Sequence, residues 1–164
     1  MNIQSGHILD LGTGLGTQAI ALAKMDFRVT AIYISATAIE KARTKSAQQG
    51  VNIDLWQDNV LDTKLEDKFD YISDRGCFHV FPPENRDEYI KFIASHLASG
   101  GSYFLKCFSY KEKGPEPYRF THNQTREYFA SRFAIISIAK TVYQGTGDLL
   151  PKALFCVMKK HDAR

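Results

Sequence analysis

The sequence predicts an α/β sandwich: a mainly parallel sheet with helices on its faces and an antiparallel pair of strands at its C-terminal end. Three observations predict it. Short apolar or β-branched runs alternate with segments of helical periodicity through most of the chain. A glycine-rich stretch joins the first such run to the first helical segment. The last two runs, 134–142 and 153–158, have no helical pattern between them, only a Gly145-Thr146-Gly147-Asp148 connection.

Each element has a local reason. His7-Ile8-Leu9-Asp10-Leu11 is a short apolar run stopped by glycines, as a buried parallel strand requires. Alanine and leucine recur at helical spacing over 17–25, and β-branched residues fill the second strand, 27–34. Ser35 is placed to cap a helix whose inner stripe is Ala38, Ile39 and Ala42, with Gly50 as its stop. Residues 51–56 and 69–73 read as the third and fourth strands. Pro82-Pro83 opens a helix running to about residue 97, closed by Gly100-Gly101. A fifth strand over 102–108, a polar loop at 114–117 and a short helix over 123–130 follow. The expectation is five βα units and a hairpin, with Phe129 and Phe133 in the core.

Composition narrows the function. The 164 residues suit one domain, and at 44% hydrophobic and 24% charged they exclude disorder. No apolar run approaches the ~18 residues that span a bilayer, and Met1-Asn2-Ile3-Gln4-Ser5-Gly6 does not read as a signal peptide. Cys77, Cys107 and Cys156 are odd in number and widely spaced, so free thiols in the reducing cytoplasm are expected. A dispersed net charge of +3 makes no electrostatic case for a nucleic-acid partner. The histidines have no metal-ligand spacing, so no metal is expected.

The stretch Leu9-Asp10-Leu11-Gly12-Thr13-Gly14-Leu15-Gly16-Thr17-Gln18 carries most of the chemistry. Glycines let a ligand approach the backbone closely, and the helix start offers N–H donors. A dinucleotide loop wants G-x-G-x-x-G, whereas here the third glycine comes one position early. The D-x-G-x-G-x-G pattern resembles motif I of the class I S-adenosylmethionine-dependent methyltransferases. Further segments resemble that family in order: residues 29–35, Gln57-Asp58-Asn59-Val60-Leu61, residues 69–76, and Leu97-Ala98-Ser99-Gly100-Gly101-Ser102.

The resemblance implies a Rossmann-like three-layer sandwich with a seven-stranded, mainly parallel sheet and S-adenosylmethionine as cofactor. It implies that Asp10, Gly12, Thr13, Gly14, Gly16 and Gln18 surround the methionine end, that Tyr33 and Ile34 lie near the ribose, and that Asp58, Asn59 and Val60 lie near the adenine. Tyr33 departs from the pattern, because the family usually has an acid there that accepts both ribose hydroxyls. A phenol offers one oxygen and no charge, a difference of about ten- to a hundredfold in affinity.

Asp74-Arg75-Gly76-Cys77-Phe78-His79 is similar to small-molecule methyltransferases of the thiopurine S-methyltransferase and tellurite-resistance type. That resemblance implies a small-molecule acceptor, a thiol or another soft nucleophile, methylated by in-line displacement. Asp74 could meet the cofactor's ammonium or orient the acceptor, or it could cap the following turn. Arg75 could hold an anionic acceptor or form a surface ion pair. His79 is the candidate base, or else a packed histidine. Two other readings stay open at this level: an NAD(P)-dependent reductase, and a non-catalytic binding module on the methyltransferase fold. The family's small-molecule members also carry helices before motif I, and almost nothing precedes His7 here. The expectation is a single core domain over 1–164 with little or no lid. A truncated N-terminus fits it. So does closure by the 111–118 loop, by a second copy or lid-supplying partner, or by the acceptor itself.

Overall fold

The computed structural model describes residues 5–114, 117–144 and 150–161. The first four residues, positions 115–116 of the polar loop and the Gly145-Thr146-Gly147-Asp148 connection lie outside them. Seven strands form one sheet: β1 (His7–Leu11), β2 (Arg28–Tyr33), β3 (Asp54–Gln57), β4 (Phe69–Arg75), β5 (Leu97–Phe108), β6 (Phe133–Val142) and β7 (Lys152–Lys160). Their order is β3-β2-β1-β4-β5-β7-β6, parallel from β3 to β5, with β7 antiparallel to both β5 and β6. Among the described residues the helices are α1 (Thr17–Ala23), α2 (Ala36–Gln48), α3 (Pro83–His96) and α4 (His122–Phe129), with a single 3-10 turn at Phe78–Val80.

Local signals set most boundaries. The Ser35 hydroxyl accepts from the Ala38 N–H at the start of α2, and Pro83 occupies the first turn of α3. At α4, Thr121 and Gln124 form a reciprocal capping box. The apolar residues divide between two clusters. Ile8, Ala19, Val29, Ile39 and Leu55 belong to the one that includes α1 and α2 residues. Phe69, Phe78, Tyr89, Tyr103, Phe129 and Phe133 belong to the larger one, with α3 and α4 residues. Each such side chain, fully buried, contributes roughly 1.5–3 kcal/mol.

Two segments differ from the sequence expectation. First, α3 stops at His96 and β5 begins at once with Leu97, so Gly100-Gly101 does not separate helix from strand. Instead the β4–β5 register shifts between Phe69, opposite Leu97, and Tyr71, opposite Ser102. A Cβ on Gly101 would meet the Ala98 carbonyl oxygen at 2.9 Å, so the irregularity needs a residue without one. Second, residues 58–68 cross from β3 to β4 without a helix, so the βα alternation is interrupted once. Side chains brace that crossover: Asp58 accepts from the Asn59 N–H and the Thr63 hydroxyl, and Asn59 accepts from the Leu61 N–H.

The strand order reverses between β1 and β4, where Leu11 pairs with Asp74. A crevice opens beyond the carboxyl ends of strands at such a switch point.

Candidate active site

Three segments converge on that crevice. The glycine loop leaves β1, with the Gly12 and Thr13 N–H groups donating to the Ile32 carbonyl and Gly16 N–H donating to Thr13. Gly14 and Gly16 both have left-handed φ, +56° and +74°. A Cβ on Gly16 would lie 3.0 Å from the Ala42 Cβ, so this glycine also lets α1 close on α2. At Gly14 the same atom would meet open space.

A cleft of about 370 Å3 lies against this loop, lined by Leu11, Gly12, Ile32, Tyr33, Ile34, Asp58, Asn59, Val60, Arg75, Gly76, Cys77, Val80 and Phe81. Seven sequence-predicted residues therefore meet there: Gly12, Tyr33, Ile34, Asp58, Asn59, Val60 and Arg75. Tyr33 ends β2 half-buried, and its carbonyl accepts from the Asp58 N–H, which ties the predicted ribose and adenine positions together.

Asp10 is buried just behind the loop, and its Oδ2 has no hydrogen-bond partner; nor does the neighbouring Thr13 hydroxyl. Burial pushes the Asp10 carboxyl up to about 7, and the adjacent Thr13 hydroxyl, near the carboxyl but outside hydrogen-bond geometry, offsets part of the shift. Two orphaned polar oxygens beside a glycine loop, and a cleft carrying Tyr33, Asp58 and Asn59 on apolar walls, fit a ligand with an amino-acid end and a nucleoside end. Gln18 does not line this cleft; its amide donates to the Ser73 hydroxyl. Thr13, Gly14 and Gly16 belong to the loop without lining the cleft.

The post-β4 turn is organised by Asp74. Its buried carboxylate accepts from the N–H groups of Gly76 (3.1 Å), Cys77 (2.6 Å) and Phe78 (3.1 Å), and from the hydroxyls of Tyr89 (2.6 Å) and Tyr103 (2.8 Å). It acts as the cap of the turn, with its carboxylate directed away from the cleft. Burial raises its carboxyl above the ordinary range despite these bonds, and the two phenols are held far above theirs, so they remain neutral donors. Sequence reasoning missed Tyr89 and Tyr103, whose aromatic spacing reads as ordinary core.

His79 does not reach the cleft. It is buried, its ring stacks on Phe108 at 4.7 Å, and its Nδ1 accepts from the Phe108 N–H at 3.1 Å. Burial and the Arg119 cation lower its pKa to about 4, so the ring is neutral with its proton on Nε2. Cys77 does line the cleft, with its thiol pushed well up by burial and by Asp74. Arg75 is exposed at the cleft edge, and among the described residues it forms no ion pair. All three cysteines are free. Among the described residues no cluster is arranged to hold a metal, and no helix is long and apolar enough to cross a membrane.

Comparison with known proteins decides the family. A model described as a methyltransferase domain matches residues 8–101. The chain belongs to the methyltransferase domain family. It is a methyltransferase, which sets aside the reductase and non-catalytic readings. An uncharacterized methyltransferase of Schizosaccharomyces pombe is 31% identical over 108 residues, 65% of this chain and 74% of that protein. A ubiquinone biosynthesis O-methyltransferase of Coxiella burnetii is 31% identical over 110 residues, 66% of this chain but only 46% of that protein. Among solved structures, one described by the conversion of a disulfide bond into a thioacetal group during echinomycin biosynthesis superposes with a TM-score of 0.84. It is 25% identical and covers 96% of this chain and 76% of its own. The Rossmann-like methyltransferase fold is thus present from β1 to β7.

Proposed function

We propose that this methyltransferase acts on a small-molecule acceptor through sulfur or another soft nucleophile, without a protein base. The observation that carries the reading is the state of His79. Its Nδ1 is occupied by the Phe108 N–H and its ring is neutral down to about pH 4, so it offers no lone pair to a reacting proton. Asp74 is saturated with donors, and the Cys77 thiol is held protonated. A thiol that ionises on its own near neutral pH makes the smallest demand on such a site.

The bound cofactor supplies a methyl group on a sulfonium, already activated for in-line displacement. The chain's own residues supply position and dryness. Asp10, Thr13 and the Gly12–Gly16 turn would hold the amino-acid end, Tyr33 and Ile34 the ribose, and Asp58, Asn59 and Val60 the base. Asp58 keeps acceptor capacity, because one oxygen accepts from the Asn59 N–H and the other from the Thr63 hydroxyl while each offers two lone pairs. Gln18 acts through Ser73 on β4 as a positioning residue, and Asp74 holds the turn that aims Arg75 and Gly76 at the cleft.

The echinomycin-pathway structure, described by chemistry at sulfur, supports the same class. The Coxiella burnetii relative is named for oxygen, and a phenol-like acceptor with a pKa near 10 would need help to lose its proton. Release of S-adenosylhomocysteine is measured with matched thiols, phenols and amines at pH 7.5. Thiols should exceed phenols by at least about tenfold in kcat/KM; phenols or amines leading the series would overturn the reading.

A further inference from the structure

A second recess, of about 210 Å3, lies beside the cleft and shares Arg75 with it. It is lined by Gln18, Ser73, Asp74, Arg75, Phe104, Lys106 and Phe155. Arg75 and Lys106 stand opposite each other in register across β4 and β5, and Lys106 is opposite Phe155 across β5 and β7. Two cations are therefore adjacent on one sheet edge. Among the described residues neither has an ion-pair partner; the recorded ion pairs involve Arg43, Lys91 and Arg132. Burial and the Arg75 guanidinium hold the Lys106 ammonium below the usual lysine range. Asp10 feels the Arg75 charge through space without pairing with it.

Like charges held side by side cost free energy that a bound anion would recover. The remaining wall is flat and apolar: the Phe104 and Phe155 rings are parallel within 3° at 6.4 Å, and Phe155 is 38% exposed. Lys106 also lies 5.0 Å over the Tyr143 ring, whose hydroxyl donates to the Lys106 carbonyl.

We propose that this recess is an anion subsite for the acceptor, in which Lys106 and Arg75 hold a carboxylate while Phe104 and Phe155 flank its carbon skeleton. The assignment to the acceptor rests on the reading of the neighbouring cleft as the methyl donor's site. The substrate class is then a small carboxylated nucleophile, with an aromatic or short-chain skeleton.

Calorimetric titration of benzoate reads the subsite without turnover, in the free protein and in protein saturated with S-adenosylhomocysteine. Saturable binding is expected in both, weakened at least about tenfold by Lys106→Met and largely restored by Lys106→Arg. S-adenosylhomocysteine is titrated into the same variants, where its Kd should change by less than about twofold. A tenfold loss there would assign the recess to the cofactor's own carboxylate and overturn the proposal. So would a wild type that does not bind benzoate, or a Lys106→Met protein that binds it equally well. Turnover gives a separate readout: the kcat/KM ratio of thiosalicylate to thiophenol should fall at least about tenfold in Lys106→Met. If neither thiol is methylated while benzoate binds as expected, the sulfur reading fails and the anion subsite stands.

Discussion

Asp10, buried behind the glycine loop, and Tyr33, in the lining of the cleft, each make a residue-scale prediction. Asp10 is buried without a partner for Oδ2, and its carboxyl titrates near 7 rather than 3.8. The folded state therefore binds more protons than the unfolded chain between about pH 4 and pH 7. Stability should fall as pH rises through that window and level off above it. In urea titrations of protein without cofactor, Asp10→Asn should flatten this slope; an unchanged slope would show that another group produces it. Tyr33 stands where the resembling family has an acid. Tyr33→Asp should tighten S-adenosylhomocysteine binding about tenfold by calorimetry, since a carboxylate accepts from two hydroxyls where a phenol accepts from one. Unchanged or weaker binding would mean that the ribose does not lie against β2.

At the scale of elements, the glycine loop separates two roles that the motif alone runs together. Gly14 and Gly16 have similar positive φ, but only Gly16 faces another helix, with Ala42 3.0 Å from where its Cβ would be. Gly14→Ala should cost about 1 kcal/mol of stability from backbone strain alone. Gly16→Ala should cost roughly 2–4 kcal/mol, because strain adds to the clash between α1 and α2. Equal losses in chemical denaturation would contradict this division. The elements most legible in the sequence are those with local causes: the Ser35 cap, the Pro82-Pro83 start of α3, and the strand–loop–helix around Gly12. What was not legible depends on partners distant in the chain. Asp74 is a turn cap because Tyr89 and Tyr103 lie 15 and 29 positions away and meet it in the core. His79 turns from the cleft because the Phe108 N–H and ring hold it, and no local pattern announces that. Lys106 joins Arg75 only through the β4–β5 register, which itself depends on the irregularity near Gly101.

Over the whole molecule, the strand–helix alternation and the C-terminal antiparallel pair were readable from recurring patterns, the seven-stranded arrangement followed from the family resemblance, and the 8–101 match covers the chain from β1 into β5. The sheet brings the residues that line the cleft together at the β1/β4 reversal, while His79 and Asp74 are bonded into the fold and the Cys77 thiol is kept protonated. That arrangement makes a global prediction about rate and pH. With two thiol acceptors of different pKa, kcat/KM should rise with pH along each acceptor's own ionisation, so the rising limb moves with the thiol. A limb fixed at one pH for both acceptors would reveal a titrating group of the protein that removes the proton, and would contradict base-free methyl transfer.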